Sequence, residues 1–344
     1  MDVADFDYPL PKECIAQTPA ERRTHSRLMV MDRFTGKTIH SYFYQLRQFL
    51  QSGDVLVLND SKVRPARLIG RKKETHAKIE LLILKPIAED VWEALVRPAK
   101  RIKVGVQVEF GEGKLIAIAL RKSDVDGGWI FKFEYEQENI EQLFAELGTM
   151  PLPPYIQQQL DNPERYQTVY AKKLGSAAAP TAGLHFSKSL LTELKQDGIE
   201  IAFLTLHVGL GTFRPVQTKR VEDHKMHAEY YELTEAEADK IRQVKENGGR
   251  VIAVGTTSVR TLETIALHNN GEIRAAKGWA DLFIYPGFSF QAIDGLLTNF
   301  HLPKSTLLML VSAFSSRQHV LAAYQEAIQR GYRFFSFGDA MLII

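Results

Sequence analysis

The order of apolar runs predicts an α/β protein: a mixed, sheet-centred α/β domain built from both chain ends and interrupted by an inserted all-β, barrel-like domain. Three observations carry this. Residues 54–58 are apolar enough for a buried strand, and they precede the insert. Five short β-like runs (79–84, 91–96, 104–110, 115–120 and 129–133) then recur between Gly, Pro or charged turns, with no helical pattern between them. From about residue 150, helical segments alternate with apolar strands, the pattern of a largely parallel sheet. The α/β domain is therefore expected over residues 1–60 and 150–344, and the barrel-like insert over 61–149.

In chain order, residues 28–32 and 38–41 read as two strands around a turn with glycine at Gly36. Residues 187–195 are helical, with Leu190, Leu191 and Leu194 on one face and Gly198 as the stop. Residues 199–206 then form a strand. Thr234 and Glu237 have the spacing of a capping box, opening a helix that runs to Gly248. Residues 250–254 are a buried-type strand, and a helix over 256–267 follows directly.

The bulk numbers narrow the function. With 344 residues, 45% hydrophobic and 24% charged, the chain has the composition of a globular protein of about two domains. Its net charge of +2 is near neutral, so binding to nucleic acid requires a local patch. Cys14 is the single cysteine, which excludes internal disulfides and thiolate metal sites and fits a reducing compartment. The acidic start, Met1 to Asp7, lacks the apolar core of a signal peptide, and the apolar run 307–314 is far below the ~20 residues that span a bilayer. A cytoplasmic monomer with no membrane partner is expected.

Five segments bear chemistry. Small residues dominate 175–186, where Thr181, Gly183 and His185 would let backbone approach a ligand closely; a tight surface loop shares that composition. After the strand 199–206 come His207, Gly209 and Gly211, at the end of a strand where α/β sheets bind ligands. Gly209 and Gly211 look like half a dinucleotide fingerprint, but Arg214 replaces the third glycine and a phosphate loop is rejected. Gly255 separates a strand from a helix opening with Thr256, Thr257 and Ser258, with Arg260 one turn on, a form that suits a carboxylate as well as a phosphate. Farther along, Asp281, Tyr285, Asn299 and His301 are site candidates, while Trp279 and Phe283 read as core aromatics. Finally, residues 60–110 hold 12 Lys/Arg against 7 Asp/Glu, including Lys62, Arg64, Arg67, Arg71, Lys72, Lys73, Arg97 and Arg101, a footprint for phosphates. His224 and His227 would pair on a metal only in a helix, and the sequence after them looks extended, so no metal is expected.

Together these pieces carry a family resemblance that runs nearly end to end. The ordered set comprises Phe6-Asp7-Tyr8-Pro9-Leu10-Pro11, Gln17-Thr18-Pro19, Leu58-Asn59-Asp60-Ser61-Lys62-Val63, Met150-Pro151-Leu152-Pro153-Pro154-Tyr155, Tyr166-Gln167-Thr168-Val169-Tyr170, Ala179-Pro180-Thr181-Ala182-Gly183-Leu184-His185-Phe186, His207-Val208-Gly209 and Gly255-Thr256-Thr257-Ser258-Val259-Arg260. It resembles the S-adenosylmethionine:tRNA ribosyltransferase-isomerase family of queuosine biosynthesis. The resemblance implies an α/β plus β-barrel fold and a tRNA carrying 7-aminomethyl-7-deazaguanine as partner. It also implies no required cofactor, S-adenosylmethionine being a consumed co-substrate.

On that reading His185 and His207 are the acid/base candidates, with Asp281 third. Thr256, Thr257 and Arg260 would hold the methionine carboxylate, and Tyr285 the adenine or sulfonium. Thr181, Gly183, Gly209, Gly211, Ser258, Asn299 and His301 would complete the substrate pocket. At residue level an S-adenosylmethionine-dependent RNA methyltransferase and a non-catalytic RNA-binding protein stay open beside it. Neutralising Arg71, Lys72 and Lys73 together is expected to weaken tRNA binding and flatten its salt dependence; unchanged affinity would move the phosphate contacts elsewhere.

Overall fold

A computed structural model describes residues 1–125, 127–137, 139–158, 160–209 and 216–344. The chain divides into two compact units, Met1–Ser61 with Pro154–Lys173 and Ala179–Ile344, and Lys62–Pro153 with Leu174–Ala178.

The first unit begins with the hairpin of β1 (Arg27–Met31) and β2 (Thr38–Tyr42). Asp32 Oδ1 closes its turn by accepting from the Phe34 and Thr35 amides. β3 (Val55–Asn59) is buried at every position, as its Val-Leu-Val-Leu run requires of a strand covered on both faces.

Then comes β4 (Ser61–Val63). In the second unit, β5 (Arg67–Lys72), β6 (Lys78–Ala88), β7 (Val91–Arg97), β8 (Gln107–Phe110), β9 (Leu115–Lys122) and β10 (Gly128–Tyr135) follow. They pair in the order β5-β6-β7-β10-β9-β8, and β8 pairs back to β5, which closes an antiparallel barrel. Closure brings backbone very near Gly70, where a Cβ would meet Glu109 O at 2.4 Å. Residues 67–72 read as basic surface in the sequence, yet they form β5. Leu68 faces inward and Arg67 and Arg71 outward, so the alternation was hidden by charge. Next, α1 (Ile140–Leu147), capped by Asn139, buries Ile140, Leu143 and Phe144. Phe144 meets Trp92 and Phe133 edge-on at 5.2 and 5.6 Å. Two-residue β11 (Gly148–Thr149) pairs with β5, and β12 (Lys173–Ser176) with β4.

The remaining elements complete the first unit: α2 (Lys188–Gln196), β13 (Glu200–Leu206), β14 (Glu229–Leu233), α3 (Glu235–Glu246), β15 (Val251–Val254), α4 (Thr256–His268), β16 (Ala276–Ala280), β17 (Gly295–Asn299), α5 (Thr306–Phe314), α6 (Arg317–Gln329) and β18 (Ala340–Ile343). They build a nine-stranded sheet in the order β16-β14-β13-β3-β15-β17-β18-β1-β2. β13, β3, β15 and β17 are parallel and central, while β14 and β18 run antiparallel to their neighbours β13 and β17. Leu56, Leu58, Ile201, Ile252, Val254 and Leu297 pack under Phe186, Leu190 and Leu194 of the α2 region.

One local expectation fails. Thr234 caps α3 without a side-chain bond, and Glu237 instead accepts from Phe203 N at 2.8 Å. β14 pairs with β13 only at Thr205 and Leu206, so the Phe203 N–H needs another acceptor.

Phe144→Ala is expected to cost about 3–5 kcal/mol, seen as a lowered urea midpoint. A loss below about 1 kcal/mol would show that α1 does not seal the barrel core.

Candidate active site

Because β3, β13, β15 and β17 are parallel, Asn59, Leu206, Val254 and Asn299 end at one edge of the sheet, where open α/β folds bind their ligands. The Asn59 carboxamide organises it. Nδ2 donates to Leu206 O (3.0 Å) and Thr257 Oγ1 (3.3 Å), while Oδ1 accepts from Leu206 N (3.1 Å) and Ser61 N (3.0 Å). Gly255, at a left-handed φ of 87°, turns β15 into α4. Thr256 and Thr257 therefore open the helix at this edge, where amide groups and the helix dipole favour a carboxylate. Ser258 does not join them, because its hydroxyl donates back to Val254 O at 2.8 Å.

Arg260 serves a different purpose from the one its position suggested. Its buried guanidinium pairs with Glu229 and donates to Ala280 O (2.9 Å) and Leu282 O (3.2 Å). Glu229 accepts from Gly209 N at 2.7 Å with its other oxygen. The pair thus ties the chain after β13 to the chain after β16, and the arginine is engaged inside the fold rather than with a substrate carboxylate. A lone buried guanidinium would be costly, which is why a carboxylate meets it. Asp281 lies exposed between the two carbonyls, and half-buried Tyr285 packs on Phe283 at 5.1 Å. Gly211 lies outside the described residues.

The short turn Thr181–His185 lies beside this edge. Ala182 sits 3.6 Å from where a Gly255 Cβ would be, and a Cβ on Gly183 would fall 2.0 Å from the Tyr170 hydroxyl. His185 is fully engaged. The Asn299 amide, oriented by its bond to Phe335 O (3.0 Å), donates to Nε2 (3.2 Å), so Nδ1 carries the proton towards Ser26 Oγ (2.7 Å). Phe43 stacks on the ring at 5.0 Å. Burial, with the Arg333 and Arg23 charges, depresses its pKa to about 3. His301 is similar: Nε2 bonds Thr298 Oγ1 (2.9 Å), and burial holds its pKa at about 3. Both are neutral scaffolding imidazoles, so an acid/base role for His185 and a substrate contact for His301 do not fit their surroundings.

Sequence reasoning passed over the most suggestive group. Asp60, 8% exposed, accepts from Thr205 Oγ1 at 2.7 Å. Burial pushes its carboxyl above the usual range despite that bond and the Lys173 and Lys172 charges, and Glu232 adds to the rise. Tyr170 feels the same carboxylate, and its hydroxyl is buried without a hydrogen-bond partner among the described residues, as are Thr168 Oγ1 and Asn299 Oδ1. Such atoms suit a bound polar molecule. The available signal is the motif itself, Asn59-Asp60-Ser61, which belongs to the family resemblance and opens the basic segment but gives no role to its carboxylate.

His207 is half-buried; its ring stacks over Tyr230 at 6.0 Å, and Tyr230 meets Trp279 at 5.8 Å. Trp279 is 59% exposed, not core, because β16 is an edge strand and the residue alternates outward with Lys277. Phe283 is half-buried against His224 at 5.3 Å. His224 follows a short turn rather than lying in a helix, and among the described residues no group of three His, Cys, Asp or Glu could hold a metal ion.

In the barrel unit the basic footprint shrinks. Arg64 is buried, paired to Glu141 at 2.6 Å and lying over Trp92, and Arg67 pairs with Glu80 at 2.8 Å. Lys62, Arg71, Lys73, Arg97 and Arg101 are exposed and Lys72 half-buried, with Lys73 3.7 Å from Glu109.

A family model described as queuosine biosynthesis protein matches residues 3–343. The chain belongs to this family. An S-adenosylmethionine:tRNA ribosyltransferase-isomerase of Staphylococcus haemolyticus is 58% identical over 344 residues, 100% of both chains. The crystal structure of an S-adenosylmethionine tRNA ribosyltransferase from Thermotoga maritima aligns with a TM-score of 0.57 and 40% identity, covering 99% of this chain and 100% of that one. The resemblance read from the motifs is shown, and the chain is an enzyme, a transferase of queuosine synthesis. Among the described residues no helix is long and apolar enough to cross a membrane.

The depressed pKa values of His185 and His301 set an acid limit. Each folded value lies below the ordinary 6.5, so the unfolded chain takes up protons first as the pH falls. Their contribution is complete above pH 6.5 and is lost towards pH 3, by up to about 1.4 kcal/mol per pH unit for each ring. Urea unfolding at pH 7.5 and 5 should show a smaller pH dependence in His301→Gln than in the wild type. Equal slopes would mean that His301 titrates normally.

Proposed function

We propose that this enzyme transfers and isomerises the ribosyl unit of S-adenosylmethionine onto the aminomethyl group of 7-aminomethyl-7-deazaguanine at the tRNA wobble position. The product is epoxyqueuosine-tRNA, and adenine and methionine leave. One observation carries the reading: the buried Asp60 carboxyl, bonded to Thr205 and raised in proton affinity by its burial, stands with the Tyr170 hydroxyl at the carboxyl edge of the parallel strands. The full-length match to a relative named for this activity supports it.

The chemistry asks for such a group. The sulfonium acidifies the adjacent ribose C5′–H, so a base positioned there forms an ylid-like species. A carboxylate stripped of solvent is both a better base and a counter-charge for the sulfonium. In this reading Asp60 takes the C5′ proton, and His207 protonates the departing adenine and keeps the incoming amine neutral. The amides of Thr256 and Thr257 receive the methionine carboxylate, and Tyr285 faces the adenine. Thr181, Gly183, Gly209 and Asn299 line the pocket. No resident cofactor is used, since S-adenosylmethionine is consumed. The wobble nucleoside lies in a single-stranded loop, so its extrusion is cheap.

The test is incubation with S-adenosylmethionine and tRNA bearing 7-aminomethyl-7-deazaguanine. Free adenine and methionine are expected; S-adenosylhomocysteine would overturn the reading in favour of methyl transfer. Asp60→Asn should cut adenine release by roughly 10²–10⁴-fold with tRNA binding intact, and His207→Ala should cut it as much at saturating tRNA. Near-normal turnover in either variant removes that residue from the mechanism.

A further inference from the structure

We propose that the cross-strand row His207, Tyr230 and Trp279 is a stacking platform for unpaired bases of the RNA loop that carries the modified nucleoside. The inference rests on the reaction proposed above and names the surface that receives the substrate's loop.

The row is built by sheet register. His207 donates its backbone N–H to Tyr230 O (2.9 Å), and Tyr230 lies directly opposite Trp279. The three rings therefore share one face over two strand spacings, about 10 Å, with His207 stacked on Tyr230 at 6.0 Å and Tyr230 meeting Trp279 edge to face at 5.8 Å. A second row on the same face is polar: Thr205 opposite Glu232, and Glu232 opposite Lys277. Thr205 is the residue that donates to Asp60, so the aromatic row runs outward from the proposed reaction centre to the sheet edge.

Charge and exposure fit the occupant. Lys277, Lys172 and Lys173 are exposed, and the backbone amides of both Lys172 and Lys173 donate to Asp60 O. Lys277 stands two residues from Trp279 on the same face, and Lys172 and Lys173 flank Asp60, while Glu232 opposite Lys277 keeps the charge from becoming a general polyanion patch. Trp92 and Trp129 are 5% exposed, but Trp279 is 59% exposed at the end of the row. An indole in water, braced by a tyrosine, leaves π-surface open to an unpaired base, which bases within a duplex cannot offer.

Trp279 thus carries its own reporter. The emission of the full-length protein should be quenched, and shielded from acrylamide, by a stem-loop RNA with the substrate's loop but not by a fully paired RNA of equal length. Trp279→Ala should raise the KM for tRNA by roughly 10- to 100-fold, leaving kcat and the KM for S-adenosylmethionine unchanged. Trp279→Phe should restore most of the loss, which a merely structural defect would not allow. No quenching by the loop RNA, or an unchanged tRNA KM in Trp279→Ala, overturns the platform while the reaction stands. Absence of adenine release from the wild-type protein overturns the reaction reading instead.

Discussion

Much of the first unit hangs on one buried carboxamide. Asn59 ends β3, and its four hydrogen bonds fix the ends of β3 and β13 and the first turn of α4 relative to one another. Neither a carboxylate nor an aliphatic group could do this, because the site asks for two donors and two acceptances from one planar group. With Asn59 set, the next residue has little choice. Asp60 N bonds Leu204 O, and the Asp60 side chain is delivered to Thr205 on the face opposite the α4 contact. Position of the carboxylate follows from the amide beside it.

The site separates two kinds of polar burial. His185 and the Arg260–Glu229 pair are saturated with partners, His301 is held by Thr298, and all act as scaffold. Asp60, Tyr170, Thr168 and Asn299 retain hydrogen-bonding capacity or an elevated proton affinity. Saturated groups rigidify a fold, and incompletely satisfied ones have binding free energy to offer a ligand. The sequence contains both sorts in the same motifs, and residue type alone does not separate them.

That distinction explains what was readable in advance. The alternation of β6, β7, β9 and β10 and the strand–Gly–helix of β15 and α4 were legible, because burial periodicity is written locally. β5 was not, since outward arginines masked its alternation. Trp279 reads as core in the sequence because aromaticity is visible there but edge position is not; only strand order reveals it. His185 looked catalytic because its partners, Ser26 and Asn299, are more than 100 residues away in the chain. The fate of a polar group depends on such distant neighbours, so the fold class was clear from sequence while the acid/base assignment was not.

The pairing of β4 with β12 has a kinetic consequence. Arg64 N donates to Ser176 O at 3.0 Å, so the strand leading into the barrel and the strand leading out lie side by side. β3 and β13, which pair directly, are separated in sequence by the whole barrel. A barrel of mostly neighbouring strands has contacts more local than that pairing, and local contacts form faster. Once folded, its clasped ends replace a loop of well over a hundred residues with a short bridge, which lowers the closure entropy of joining β3 to β13. Ribosomal synthesis delivers the pieces in the same order: carboxylate first, barrel second, receiving threonine last. The Asp60 carboxyl is therefore made long before the Thr205 hydroxyl that donates to it.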